Sequence, residues 1–310
     1  MASENANIAR AAGTVGIATL LSRIFGYIRD MVIASVFGAG LMTDVFIAAF
    51  RVPNLMRRLF GEGSLAVSFI PVFSECLSTQ GRAEAYRLAG VTIRLLLLAL
   101  MAVTVLGIFL APWLVGALAY GFIDTPEKFS LTVTLTRIMF PYVFFIGMVA
   151  LFMGVLNVLG HFAAPAIAPV LLNLAMIGSV FAVTRFTLDP VLWVYGLAFG
   201  VVIGGVLQLL LQLPFLAQKG VTFWRSSQMY HPGLRKITAM FLPATFGAAV
   251  LQINTLVGNL LASFLPDGSI SYLYFADRLV QFPLGVIGIS AATAALPAFS
   301  RLAAASDSSH

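Results

Sequence analysis

Three stretches of the chain carry no charged residue at all: Leu95 to Ile123, Pro190 to Gln218 and Ile237 to Pro266. Each is long enough for one tilted helical crossing of a hydrocarbon core about 30 Å thick, which takes roughly 20 apolar residues. A fourth stretch, Ile138 to Thr184, is uncharged apart from His161 and far too long for one helix. The segment Asn157 to Pro165, with Gly160 and Pro165, predicts a turn that divides it into two crossings. From Ser269 to Ser300 the chain is apolar except for Asp277 and Arg278, which predicts a crossing that carries an ion pair. That makes six helices between about residue 88 and residue 300. The first 75 residues read as two more, punctuated by Arg23, Arg29, Asp30, Asp44, Arg51, Arg57, Arg58 and Glu62. The runs are continuous rather than alternating, which excludes the strand pattern of a transmembrane barrel. The expected fold is all-α: a polytopic helical membrane protein of eight crossings.

Composition sharpens that reading. The 310 residues are 60% hydrophobic and 10% charged, whereas a soluble domain carries roughly 25% charge. Cys76 is the only cysteine, so no disulfide framework exists. The net charge of +6 would suggest nucleic acid in a soluble chain, but its location gives another explanation. With the N-terminus in the cytoplasm, loop residues Arg10, Arg82, Arg87, Lys219, Arg225, Arg235, Lys236 and Arg301 fall inside and only Lys128 and Arg185 outside. This is the positive-inside distribution, and no nucleic-acid partner is expected. A secretory signal is the competing reading of Ala11 to Leu21, but Arg23 and Arg29 stand where a small-residue cleavage site belongs.

The polar connection around His231 and Pro232 divides the chain into 1–225, a lobe of six crossings, and 226–310, the start of a second. Gly13-Thr-Val-Gly-Ile aligns with Ala244-Thr-Phe-Gly-Ala, and Ile70-Pro-Val-Phe-Ser-Glu with Leu296-Pro-Ala-Phe-Ser-Arg, at nearly equal offsets. A parallel repeat of two facing bundles is a common transporter plan; chance similarity of apolar stretches is the alternative.

The charges inside the first, second and eighth crossings carry the functional signal. An arginine at mid-membrane on a lipid face costs roughly 2.5–3.5 kcal/mol on insertion scales, so such residues normally face a bundle interior or a water-filled cavity. Arg23 and Arg29 lie about 120° apart around a helix, as walls of one cavity would, whereas Asp44, Arg51 and Arg58 recur every seven residues and form one stripe. Pro53 is expected to bend the second crossing, with Gly61 and Gly63 loosening its lower part. Arg23, Arg29, Arg51, Arg57, Arg58 and Arg278 against Asp30, Asp44, Glu62 and Asp277 leave a net positive interior. All six cations are arginine, whose planar fork grips phosphate or carboxylate at two points and keeps its charge when desolvated. The structural alternatives are that Arg29–Asp30 and Asp277–Arg278 neutralise one another, and that Arg57 and Arg58 snorkel to an interface. Arg137 reads as a snorkelling anchor, His161 as interfacial, and Gly196, Gly200 and Gly204 as a close-packing stripe. No nucleophile triad, metal-ligand spacing or phosphate loop is present, so neither enzyme chemistry nor a cofactor or metal is expected.

The motifs Ser22-Arg-Ile-Phe-Gly-Tyr-Ile-Arg-Asp30, Phe37-Gly-Ala-Gly, Thr43-Asp44, Phe50-Arg-Val-Pro-Asn-Leu-Met-Arg-Arg58 and Glu62-Gly63 resemble those of the MurJ (MviN) lipid II flippases of the MOP exporter superfamily. The resemblance continues through Phe140-Pro-Tyr, Pro169-Val-Leu-Leu-Asn173, Gly205-Val-Leu-Gln208, Ala276-Asp-Arg-Leu279 and Phe282-Pro283. It implies a MATE-like fold of fourteen helices: two six-helix lobes around a cationic cavity, and two further helices that form a groove for the lipid tail. It also implies that Arg23, Arg29, Arg57 and Arg278 engage a pyrophosphate, that Asn54 is a cavity position, and that Arg51 stands where some members carry lysine. Asp30 and Asp44 match functional acids, Glu62 matches an acid near the cytoplasmic end, and Gln281 stands where a relative carries glutamate. Gln252, Asn254 and Asn259 in the seventh crossing include no acid, so no sodium site is expected.

The activity implied is movement of undecaprenyl-pyrophosphate-linked disaccharide-peptide from the inner to the outer leaflet of the bacterial inner membrane by alternating access. Lipid II and membrane lipids are the expected partners, with other cell-wall synthesis proteins beside them. The alternatives are an exporter of another polyprenyl-linked sugar or a drug, and a shortened chain that does not transport by itself, since the resemblance reaches only about the eighth of fourteen helices.

Overall fold

The computed structural model describes residues 2–60, 64–221, 230–281 and 283, and every regular element among them is helical. The first pass, α1 (Ala2–Phe37), stops at Gly38, which turns the chain with a φ of +66°. The second pass consists of α2 (Leu41–Leu59) and α3 (Leu65–Thr79). α2 stays helical through Pro53, where a bend was expected. Glu62 lies outside the described residues.

α4 (Arg82–Leu118) runs 37 residues, about 55 Å at 1.5 Å per residue, and so outreaches the hydrocarbon core. A 3-10 turn at Tyr120–Phe122 leads into α5 (Pro126–Met139) and α6 (Pro141–Val158), which together make one span. The break at Phe140 follows from Pro141, whose nitrogen has no hydrogen to continue the ladder. The turn expected at Asn157 to Pro165 is present: Gly160 has a φ of +75°, and His161 N donates to Leu156 O at 2.8 Å. α7 (Ala163–Phe186) and α8 (Pro190–Gln218) follow, the latter capped by Asp189, which accepts from Val191 N at 2.9 Å. α9 (Gly233–Ala262) and α10 (269–281) complete the described chain.

Among the described residues, four spans are long and apolar enough to cross a membrane: Arg82–Leu118, Pro126–Val158, Ala163–Phe186 and Pro190–Gln218; the bent α9 makes a fifth. Helices begin earlier than the charge-free windows, at Arg82 rather than Leu95 and at Pro126 rather than Ile138. A window stops at the first charge, whereas a helix continues past the membrane boundary.

Packing shows the inside-out pattern of a membrane protein. Leu98, Leu106, Phe109, Trp113 and Phe181 are exposed, while Thr132, Gln208 and Gln212 are buried. The glycine stripe lets α8 lie directly against α7: a β-carbon at Gly196 would collide with Val183, at Gly200 with Ser179, and at Gly204 with Leu172. α9 packs along α3, α4 and α2, which brings α10 back beside α1 and α2. The boundary expected at residue 225 and the repeat at Leu296 both fall outside the described residues.

Candidate functional site

A cavity of about 560 Å³ lies where α1, α2, α6, α7, α8 and α10 meet. Among the described residues, five arginines line it, Arg23, Arg29, Arg57, Arg58 and Arg278, with one carboxylate, that of Asp30. Its wall also carries Asn54, Asn173, Gln208, Tyr274 and Gln281, with apolar patches from Phe50, Ile146, Met153 and Leu172. On α2, α7 and α8 these residues come from the halves nearer the 219–232 connection, and on α6 from its middle, so the cavity sits toward that end of the bundle.

The arginines occupy different electrostatic environments. Arg29 is 8% exposed and fully engaged. Its Nε and Nη2 donate to Asp30 Oδ1 at 3.0 and 2.7 Å, Nη1 to Asn173 Oδ1 at 3.0 Å, and Nη2 to the Tyr274 hydroxyl at 3.3 Å. Asn173 is held in turn by Ser22 O, to which its Nδ2 donates at 3.2 Å. Asp30 bridges to α10 as well: it accepts from the Tyr274 hydroxyl at 3.0 Å and lies 3.2 Å from Arg278 Nε. Arg278 donates from Nη2 to Tyr274 at 3.4 Å and stands over its ring. One buried carboxylate thus shares two guanidiniums from two helices distant in sequence. Arg57 Nε bonds Asn54 Oδ1 at 3.1 Å, which aims the guanidinium along α2. Arg23 is exposed at the wall, with no hydrogen-bond partner among the described residues.

The stripe at intervals of seven has another destination. Arg58 Nη1 donates to Gln252 at 3.3 Å, and Arg51 Nη2 to Asn259 at 3.2 Å. Asp44 accepts from Gly268 N at 2.7 Å, from Ser271 N at 2.8 Å and from the Ser271 hydroxyl. The stripe is therefore the seam along which α2 faces α9 and the start of α10, and only Arg58 also reaches the cavity. Beside Asp44 the seam is closed by further contacts. Lys128 Nζ, 5% exposed, lies 2.6 Å from Asp267 Oδ1 and 3.8 Å from Asp44 Oδ2. Gly121 N donates to the Ser263 hydroxyl at 3.0 Å, and Asn259 Nδ2 donates to Leu118 O at 3.0 Å. Asp44 acts here as the N-terminal cap of α10, where its charge meets orphan backbone N–H groups.

The predicted site residues therefore separate. Arg23, Arg29, Asp30, Asn54, Arg57 and Arg278 gather at the cavity, Arg51 and Asp44 lie in the seam, and Asp277 is exposed, accepting from Gln281 rather than pairing with Arg278. Tyr274 and Asn173 are the organising neutral residues that a search for charges passes over; Asn173 was visible only as part of the Pro169–Asn173 motif. Among the described residues, no three His, Cys, Asp or Glu side chains come together to hold a metal ion.

Residues 33–310 match the family model described as "Lipid II flippase MurJ". The chain belongs to the MurJ family. This MurJ-family chain is 41% identical over 308 residues to the lipid II flippase MurJ of Burkholderia cenocepacia, covering 97% of itself and 59% of that protein. To the probable lipid II flippase MurJ of Vibrio cholerae it is 42% identical over 292 residues, with 91% and 55% covered. It spans between 55% and 59% of the length of these two relatives. Among solved structures, a lipid II flippase MurJ in an inward closed conformation superposes with a TM-score of 0.74 at 27% identity, covering 91% of this chain and 57% of that one. A MOP superfamily transporter from Pyrococcus furiosus superposes at 0.68 with 16% identity, covering 88% and 60%. The second likeness shows the fold alone, and the family is one of membrane transporters rather than enzymes.

Proposed function

We propose that the chain is the headgroup-handling part of a lipid II flippase: its cavity receives the pyrophosphate of an undecaprenyl-linked precursor, which alternating access carries from the inner to the outer leaflet of the bacterial inner membrane. The observation that carries this reading is a half-apolar cavity whose described lining holds five arginines and one acid. A desolvated pyrophosphate needs several forked donors at once, and guanidiniums supply them without losing charge. A drug cation would meet repulsion in the same space. Arg23, Arg57 and Arg278 are the substrate-facing cations, and Arg29, buried on Asp30, sets the potential behind them.

The seam gives alternating access a physical basis. One end is held by Asp44, Lys128 and Asp267, while the cavity lies toward the other, which the basic connections put in the cytoplasm together with the N-terminus. Opening the Asp44 end requires α10 to give up its cap. Net positive charge in the cavity also couples substrate passage to membrane potential, worth about 2.3 kcal/mol per charge per 100 mV fully crossed. Membrane lipids surround the apolar belt, and other cell-wall synthesis proteins would act beside this one.

Native mass spectrometry of the purified chain with equimolar lipid II, undecaprenyl phosphate and phosphatidylglycerol tests the reading. Retention of lipid II above the other two is expected. Equal retention of all three, or preference for a different polyprenyl-linked sugar, would replace it with a broader exporter.

A further inference from the structure

α4 contains Pro112 inside its membrane-spanning stretch. Proline has no N–H, so the carbonyl one turn earlier, Ile108 O, loses its helical donor. Arg137 on α5 takes that role, donating from Nε to Ile108 O at 3.3 Å. The guanidinium is thus tethered by its inner nitrogen, and its two Nη groups have no hydrogen-bond partner among the described residues although the side chain is exposed. This explains the position of Arg137 better than a loose snorkelling anchor does.

Arg137 ends a polar line along α5. Glu127, Ser130 and Thr134 precede it at helical spacing on one face; Glu127 and Ser130 are exposed and Thr134 half-buried. Glu127 lies about 15 Å up the helix from Arg137, more than a Debye length away, so its repulsion of an anion there is largely screened. The surface beside this line is apolar, since Val105, Leu106 and Phe109 on α4 are all exposed. Trp113, 69% exposed, stands about 7.5 Å beyond Ile108 along α4, and such amphipathic rings sit at headgroup level. Side chains of α5 lean toward its N-terminus, the end joined to α4, so Arg137 leans toward the level of Trp113.

We propose that this α4–α5 flank is a binding site for the phosphate of an anionic membrane lipid, with both Arg137 Nη groups on the phosphate oxygens and the Ser130 and Thr134 hydroxyls lining the approach. The site is separate from the cavity, whose wall does not include Arg137. It holds a lipid that stays in its own leaflet.

The test uses the 310-residue chain with Trp193→Phe and Trp224→Phe, so that Trp113 alone reports, in phosphatidylcholine vesicles containing brominated phosphatidylglycerol or brominated phosphatidylcholine. Quenching of Trp113 by the anionic lipid should show a relative binding constant about fivefold above the zwitterionic one, the weight of one cation near a charged headgroup. Arg137→Gln should bring the ratio to about one, and Arg137→Lys should keep part of it. Pro112→Ala leaves every charge in place but gives Ile108 O a competing backbone donor, and should also lower the ratio. A ratio near one in the parent chain, an unchanged ratio in Arg137→Gln, or shielding of Trp113 from both lipids by a second copy that cross-links through α5 would each overturn the proposal.

Discussion

Asp44→Ala removes the acceptor of the three hydrogen bonds that fix the start of α10, from Gly268 N, Ser271 N and the Ser271 hydroxyl. Mutational series put a hydrogen bond to a charged group at about 1.5–3 kcal/mol, and loss of a helix cap alone at about 0.5–2 kcal/mol. Water reaches some of the freed donors, so the whole truncation is expected to weaken the closed seam by about 2–4 kcal/mol. Lys128 keeps Asp267 at 2.6 Å, so the end loosens rather than falling apart. At about 1.4 kcal/mol per factor of ten, the open fraction rises at least about 30-fold. The assay is the rate of maleimide labelling at Ala262→Cys, a seam position only 3% exposed, in a chain with Cys76 replaced by serine. Asp44→Ala should raise that rate by about 30-fold or more. Asp44→Asn, which keeps one carbonyl acceptor, should fall between. A rate in Asp44→Ala within about twofold of the parent would refute the assignment of Asp44 to the latch.

Asp30→Asn strands the buried Arg29 with only neutral partners, and breaking such a pair is expected to destabilise the chain by about 3–5 kcal/mol; melting in detergent should drop steeply, while Arg23→Gln, at an exposed wall position, leaves it unchanged. Gly200→Val drives a branched side chain into Ser179 and the Ala175 carbonyl, and the α7–α8 pair should lose about 1–3 kcal/mol or more, read from the same melt. His161, stacked on Phe215 in the turn between α6 and α7, has its pKa held below the ordinary imidazole value by burial and then by Lys219. Folding therefore disfavours the protonated form, so stability is intact above the ordinary histidine range and declines as pH falls through it; His161→Phe should flatten the fall in melting temperature between pH 7.5 and 5.5.

Of the eight crossings expected, four spans, or five with the bent α9, are long and apolar enough among the described residues, and these were legible because a membrane demands long apolar runs; the turn at Gly160 was legible from its glycine and proline. Helical spacing correctly grouped Asp44, Arg51 and Arg58 on one stripe, but spacing fixes an angle around one helix and not the neighbour that fills it. That neighbour is the seam with α9 and α10, so two of the three residues leave the cavity. The same limit explains Asp277. Adjacent residues stand about 100° apart on a helix, so when Arg278 turns toward Asp30, Asp277 faces outward to Gln281. Tyr274 and Asn173 were hidden for a chemical reason: a charge census cannot register the neutral groups that orient the charges. The pairing of Arg29 with Asp30 stood in the sequence as one alternative, but the link of both to Arg278 depends on contacts across more than 240 residues.

The account rests on the cavity cations holding a pyrophosphate. Affinity for a short-chain polyprenyl pyrophosphate, compared with the corresponding monophosphate, is the direct test in the parent chain and in Arg23→Gln, Arg57→Gln and Arg278→Gln. The account predicts that the pyrophosphate binds more tightly, that each substitution weakens it by about tenfold or more, and that added salt erodes the difference. Equal affinity for both ligands, unaffected by the three substitutions, would contradict it.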